Sequence, residues 1–329
     1  MANIALRNPQ FKSIAIPSTG VLSTVCTVTI DGTLRYTLIK NVQPSTTVNF
    51  DIAELARDYI EIEYQSNYIP QTVSIVTVLT NYDGLDGTGS VVGSATTITD
   101  RGFEAYGIFE EGVNPEVPFR NAPTYLMPKS TGSQFEILSP NNIGGKLPSI
   151  TSLNGLIATS YSGLDTSVTT IDGVVCNIKR IDCTKYGDGK RIIYINKYGA
   201  QQNLWFFLKE TRNIARTNEG YKSNTITYLS GGATYNVQNA PNKVFNTQAK
   251  QTHTLSSGYY PEYANQFFEE LLLSEYVWID LSALSSARGY FIPVKVKTSS
   301  VAFKTSVNDR LIEYTMEFEE AFDYINNIR

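Results

Sequence analysis

His253 is the only histidine in the chain, so any Ser-His-Asp arrangement or histidine-centred acid–base chemistry would have to use it. It stands in a polar Tyr/Asn/Thr-rich stretch, Thr217 to Gly258, with no nucleophile elbow beside it. The reading that follows is a solvated loop histidine. A zinc site would need Cys26, Cys176, Cys183 and His253 to converge. The spacing of Cys176 and Cys183 is not that of a zinc knuckle, and Cys176 sits in a strand pattern, where it serves as a small buried hydrophobe. The loop Asp83-Gly84-Leu85-Asp86-Gly87-Thr88-Gly89 superficially resembles a calcium loop. It lacks the third liganding position and the distal bidentate glutamate, and no Gly-Lys-Ser/Thr follows to make it a phosphate loop. It is expected to be a hairpin connection.

Paired carboxylates are the remaining chemistry. A glycosidase sets two of them about 5 Å or about 6.5–9.5 Å apart. Glu110-Glu111, Glu136, Glu269-Glu270 and Glu319-Glu320 are available, and spacing alone excludes none of these pairs. Glu269 and Glu270 fall on the polar side of an amphipathic helix, where carboxylates are normally solvated. The aromatic clusters Trp205-Phe206-Phe207 and Tyr259-Tyr260 could stack on sugars or anchor an interface, but burial on both faces of a strand is the simpler account of the first. No residue is assigned a catalytic, cofactor-binding or metal-ligating role. The chain is expected to be no enzyme and to need no cofactor.

The elements that would carry these residues are mostly strands. Val21 to Ile30 and Leu34 to Ile39 flank Asp31-Gly32, and Val168 to Ile181 contains Asp172-Gly173. An Asp-Gly pair between β-rich runs marks a tight hairpin, because a primed turn needs positive φ at both central residues. The segment 51–60 reads as a short helix, with Asp51 as cap and Glu54 at capping-box spacing. Gln71 to Tyr82, Arg191 to Asn196, Leu204 to Lys209, Tyr276 to Leu281 and Phe291 to Lys297 read as further strands. Near the C-terminus Ile312, Tyr314, Met316 and Phe318 alternate with Glu313, Thr315, Glu317 and Glu319. The clearest helix is 261–274, with Ala264, Phe267, Phe268, Leu271 and Leu272 on one stripe. Prolines 115, 118, 123, 128, 140 and 148 punctuate the middle of the chain and forbid long helices there. The expected fold is mainly β with a few short helices: β-sandwich modules joined by an extended proline-rich arm. The expected divisions are an N-terminal β-sandwich domain at 1–95, an arm or irregular insertion at 96–165, and a C-terminal β-rich domain at 166–329.

Of the 329 residues 42% are hydrophobic and only 18% charged, against a usual charged share of about a quarter. Ser, Thr, Asn and 21 tyrosines fill the surface instead, and such groups cost less than ions to cover with another protein. A net charge of −4, with 27 basic residues scattered among 31 acidic ones, does not suit sequence-specific nucleic-acid binding, although a subunit of this kind could line a channel through which DNA passes. Three cysteines fit a reducing cytosol. No apolar run reaches the ~20 residues of a membrane span, and Met1 to Pro17 shows no secretory signal, so no membrane insertion is expected.

Three stretches resemble virion structural proteins of tailed bacteriophages of Bacteroidota, including the crAss-like phages. They are Phe50-Asp51-Ile52-Ala53-Glu54-Leu55-Ala56-Arg57-Asp58-Tyr59-Ile60, Tyr194-Ile195-Asn196-Lys197-Tyr198-Gly199 with Leu204-Trp205-Phe206-Phe207, and the terminal Leu311 to Ala321. The second departs from the family pattern in placing Ala200-Gln201-Gln202-Asn203 where relatives carry a further aromatic pair. The resemblance implies a homo-oligomeric closed ring of sixfold or twelvefold symmetry in a tail, neck or baseplate, made in the host cytoplasm and bound to other virion tail or neck proteins. Two alternatives stay open: a receptor- or glycan-binding tail-tip module, and a carboxylate-based glycan hydrolase.

Overall fold

The computed structural model describes residues 2–64, 71–105, 124–128, 134–136, 158–160, 166–171, 174–181, 189–196, 201–260, 262–281, 291–302 and 312–322. Its described part is mainly β, as expected, with two short α-helices.

The N-terminal unit is a five-stranded sheet covered by a two-stranded ribbon. The sheet runs in the order β1-β7-β6-β3-β4, from β1 (Ala2–Ala5), β3 (Ser23–Ile30), β4 (Thr33–Asn41), β6 (Thr72–Tyr82) and β7 (Val91–Phe103). The ribbon pairs β2 (Phe11–Ala15) with β5 (Thr47–Asp51). Alternation builds the core: Val73, Ile75 and Leu79 of β6 point inward to meet Cys26, Val28 and Ile30, while Ile14 and Phe50 close over them from the ribbon. Lys12 and Asp100 tie ribbon to sheet by a buried ion pair at 2.5 Å. The β3–β4 turn has the expected chemistry, with φ of 47° at Asp31 and 78° at Gly32. Asp51 accepts from the Ala53 backbone N–H at 3.1 Å at the start of α1 (Ala53–Arg57), which is shorter than the expected 51–60 segment. β7 runs to Phe103, so residues 96–103 belong to this sheet and the expected arm does not begin at 96.

In the middle of the chain, β11 (Thr166–Ile171) and β12 (Val174–Ile181) form the second expected hairpin, and β8 (Thr124–Pro128) joins β12 in parallel. β9 (Gln134–Glu136) pairs with β10 (Ala158–Ser160). Pro128 ends β8; prolines 115, 118, 123, 140 and 148, Glu110-Glu111 and Cys183 lie outside the described residues.

The C-terminal unit is a seven-stranded sheet. Its strands are β13 (Lys190–Ile195), β14 (Gln201–Phe206), β15 (Glu210–Lys222), β18 (Asn242–Ser256), β19 (Val277–Asp280), β20 (Phe291–Val296) and β21 (Thr315–Glu320), in the order β14-β13-β19-β20-β21-β18-β15. The two edge strands, β14 and β15, are consecutive in the chain. From Phe206 to Glu210 the backbone reaches at most about 14 Å, so the sheet must curl until its edges almost meet. The ladder between β15 and β18 continues back into this bend, with Phe207 N–H donating to Ser257 O and Leu208 N–H to Ser256 O, both at 3.2 Å. Helix α2 (Asn265–Leu273) packs Phe267, Phe268 and Leu271 against Phe206, Met316 and Phe318 from the strands and against Tyr260. Phe268 meets Phe206 and Tyr260 edge-on, at centroid separations of 6.1 and 5.2 Å, a favoured aromatic geometry.

The segment after α1 joins the two units. Ile62 and Tyr64 pack against Ile193, Ile195 and Trp278, and Tyr64 stacks on Phe291 at 4.1 Å. Nearby, Arg7 and Arg57 each fork between Glu104 of the first unit and Glu275 of the second.

Candidate functional site

The polar stretch that includes His253 is a long antiparallel hairpin. Its shaft is β15 against β18, and its tip is the ribbon of β16 (Ile226–Leu229) and β17 (Gly232–Tyr235). Its shaft shows no inside and outside, because both faces are in solvent: every residue of β15 from Thr211 to Lys222 is exposed. On β18 burial begins only at Ala249, opposite Arg216, so the hairpin leaves the body near that pair. Beyond it the ladder carries a bulge at Glu219/Gly220, which sharpens the twist of the free part.

The tip is unusual in charge and exposure together. Residues 223–241 contain no Asp, Glu, Lys, Arg or His. They leave Tyr228, Leu229, Tyr235 and Val237 uncovered, at 77%, 64%, 71% and 86% exposure. Farther down the shaft Val244 and Phe245 are also exposed. A cluster of apolar side chains held out on a two-stranded stem marks an interaction surface rather than a scatter of surface hydrophobes.

His253 anchors the root of this arm. It is not a solvated loop residue: it lies in β18 with no exposed surface. Nδ1 is 3.1 Å from Glu210 Oε1 on β15, and Nε2 is 3.1 Å from Glu320 Oε1 on β21. Carboxylates only accept, so the ring satisfies both when each nitrogen carries a proton, as imidazolium. Burial alone would push the His253 pKa down, but the bonds and charges of the two glutamates outweigh it and raise it above the ordinary value. Burial likewise acts to raise Glu210; hydrogen bonds from His253 and Arg212, with the charge of Lys190 3.4 Å away, bring it instead to about 2. One ring thus joins three neighbouring strands where the arm departs.

The candidate residues that the sequence offered, none of them assigned a role, are dispersed. Glu319 and Glu320 are adjacent in a strand and point to opposite sides, Glu319 to Lys250 at 3.2 Å and Lys297 at 3.5 Å, Glu320 inward to His253. Glu270 corrects a second expectation: it is buried rather than solvated on the polar face of the helix. Glu210, held ionised, is the opposite of the raised carboxylic acid that glycoside hydrolysis needs. Phe206 and Phe207 are buried, and Trp205 packs partly buried beside them. Tyr260 is buried while Tyr259 is exposed. The Asp83–Gly89 loop is a hairpin connection, closed by Asp83 accepting from Ser90 N–H at 2.6 Å and pinned by Asn41 against Asp86. Cys26 is buried in the N-terminal core, which pushes its thiol up to about 11. Among the described residues no group of three or more His, Cys, Asp or Glu side chains is arranged to hold a metal ion, and no helix is long and apolar enough to cross a membrane. No family model, characterised protein or solved structure matches this chain.

Proposed function

We propose that this chain is a structural subunit of a bacteriophage virion, assembling into a closed oligomeric ring in the tail, neck or baseplate and contacting other virion proteins there. The observation that carries the reading is the arm: a long hairpin whose uncharged tip exposes tyrosine, leucine and valine to solvent. Such a tip gains free energy only when something covers it, and head-to-tail contacts between identical copies close into rings. The resemblance of 50–60, 194–207 and 311–321 to virion proteins points the same way. Purified chain, examined by mass photometry and negative-stain imaging, should give closed rings. Virions labelled with antibody against the chain should show it at a fixed level of the tail or neck. A strictly monomeric protein, even with its neighbours present, together with unlabelled particles, would overturn the reading.

The tyrosines at the tip also favour a second reading, a receptor- or glycan-binding tail-tip module, since exposed aromatic rings can stack on sugars. A glycan array separates the two. Specific retention that is lost on Tyr228→Ser and Tyr235→Ser would favour the tip module.

A further inference from the structure

The chain divides its charge unevenly. The hairpin 210–256 holds five cations (Arg212, Arg216, Lys222, Lys243, Lys250) and two anions (Glu210, Glu219), a net of +3 with the histidine counted neutral. The whole chain is −4, so the remainder is −4 − 3 = −7. Arg212 and Lys250 near the root are already paired, with Glu210 and Glu319. Arg216, Lys222 and Lys243 farther out are exposed and have no carboxylate partner among the described residues. In register, Tyr221 lies opposite Lys243 and Lys222 opposite Asn242, so the two lysines stand one on each face of the ribbon and collar it where the shaft meets the uncharged tip.

The opposite sign is concentrated at the junction of the two units. Glu54, Asp58, Glu61 and Glu63 are all exposed, and none has a cation partner among the described residues. Alternation explains their exposure: Ile62 and Tyr64 turn inward onto the C-terminal sheet, so Glu61 and Glu63 must turn outward. Tyr59 of the same segment touches Tyr36 of β4, with hydroxyls 3.3 Å apart, and the Arg35 guanidinium sits over its ring at 4.8 Å. The acidic segment therefore lies beside β4, the edge strand of the N-terminal sheet, which exposes Leu34 and Ile39. An open strand edge with exposed apolar side chains is a natural seat for another β-ribbon.

We propose that the arm of one copy seats on this acidic junction and the β4 edge of a second copy, the lysine collar facing Glu54–Glu63 and the uncharged tip covering Leu34 and Ile39. The partner is identified by chemistry: the apolar, cation-collared projection and the apolar, anion-flanked seat occur on one chain, and the residues that form them are exposed. The contact is heterologous, the kind that propagates from subunit to subunit. This inference rests on the assembly reading above and names its contact surfaces.

The test is sedimentation of the full chain over a range of concentrations, at roughly 50 mM and 500 mM salt, which straddle strong and weak screening. Wild type should associate at low salt and more weakly at high salt. Reversing the collar (Lys222→Glu with Lys243→Glu) or the seat (Glu61→Lys with Glu63→Lys) should each weaken association by roughly tenfold or more. Combining the two reversals in one chain should restore it, which loss of folding could not do. All four positions are exposed, and unchanged thermal melts would verify the fold. Association that ignores both reversals overturns this docking while leaving assembly standing. A monomer under every condition overturns the docking, and one that stays monomeric with its neighbours present, with particles left unlabelled, removes the assembly reading itself. Collar-dependent flotation of the arm on phosphatidylserine vesicles, with no self-association, would assign the arm to a membrane and overturn the proposal.

Discussion

His253 contributes most while it carries its charge. Its folded pKa lies above the ordinary value of 6.5, so its stabilisation is complete below about 6.5 and is lost as pH rises through the raised value. Glu210 acts in the reverse sense: its pKa is lowered from 4.5 to about 2, so its contribution is present above 4.5 and disappears as pH falls toward 2. The root of the arm should therefore be most stable between about pH 5 and 6.5. His253→Gln keeps a side chain of similar reach but removes the cation, leaving Glu320 buried without the imidazolium. The expected cost near pH 6 is about 3 kcal/mol, the scale for breaking a buried ion pair. Urea unfolding at a series of pH values checks both points. The difference between wild type and variant should shrink as pH rises, and a constant difference from pH 6 to 9 would refute the charged-ring account.

The arm is an element that the body does not need. From Ser223 to Pro241 the chain makes hydrogen bonds within its own ribbon and loops and contributes no buried side chain. Lys222 stands directly opposite Asn242, so an Asn-Gly turn can replace 223–241 and close the shaft as a two-residue hairpin. Melting temperature should stay within the shift of a surface change, about 0.5 kcal/mol, while self-association is lost. A truncated chain that still assembled would show that the tip is not the contact. The arm was also the least legible element in the sequence. Asp31-Gly32 announced its hairpin because the turn demands particular φ values, and the 312–318 alternation announced its buried face because one side meets a core. Those signals are local. Along 211–222 both faces are wet, so hydrophobic period carries no information, and the Thr and Asn content reads as loop. The role of His253 is hidden in the sequence for a related reason: its two partners lie 43 and 67 residues away, and only the pairing of three strands brings them together. The buried side chain of Glu270 was hidden for want of any local mark, its helix turn being amphipathic in other respects.

At the scale of the whole molecule, the described residues join the two units through a polar cluster and an apolar, largely aromatic one. Arg7 and Arg57 hold Glu104, whose side chain is buried, and reach across to Glu275, which is half-exposed, at 2.7 and 3.1 Å. Tyr64 lies against Trp278 and stacks on Phe291. The exposed half of the polar contact is weak, on the scale of 0–1 kcal/mol. The aromatic stack adds about 0.5–1.5 kcal/mol beyond its buried area. Neither is large beside the cores they connect, so removing both should barely change the stability of either unit, yet it should uncouple them. In Glu275→Gln combined with Tyr64→Ala, intrinsic tryptophan fluorescence, which reports only the C-terminal unit through Trp205 and Trp278, should separate from far-UV circular dichroism, which reports both units. In the wild type the two probes should run closer together along the same denaturant axis. If the variant's curves coincide as fully as the parent's, the coupling runs through other contacts. Separated curves in the variant would also bear on assembly, because an arm seated across the junction ties two units of its neighbour together, and ring formation should then raise the stability of both together.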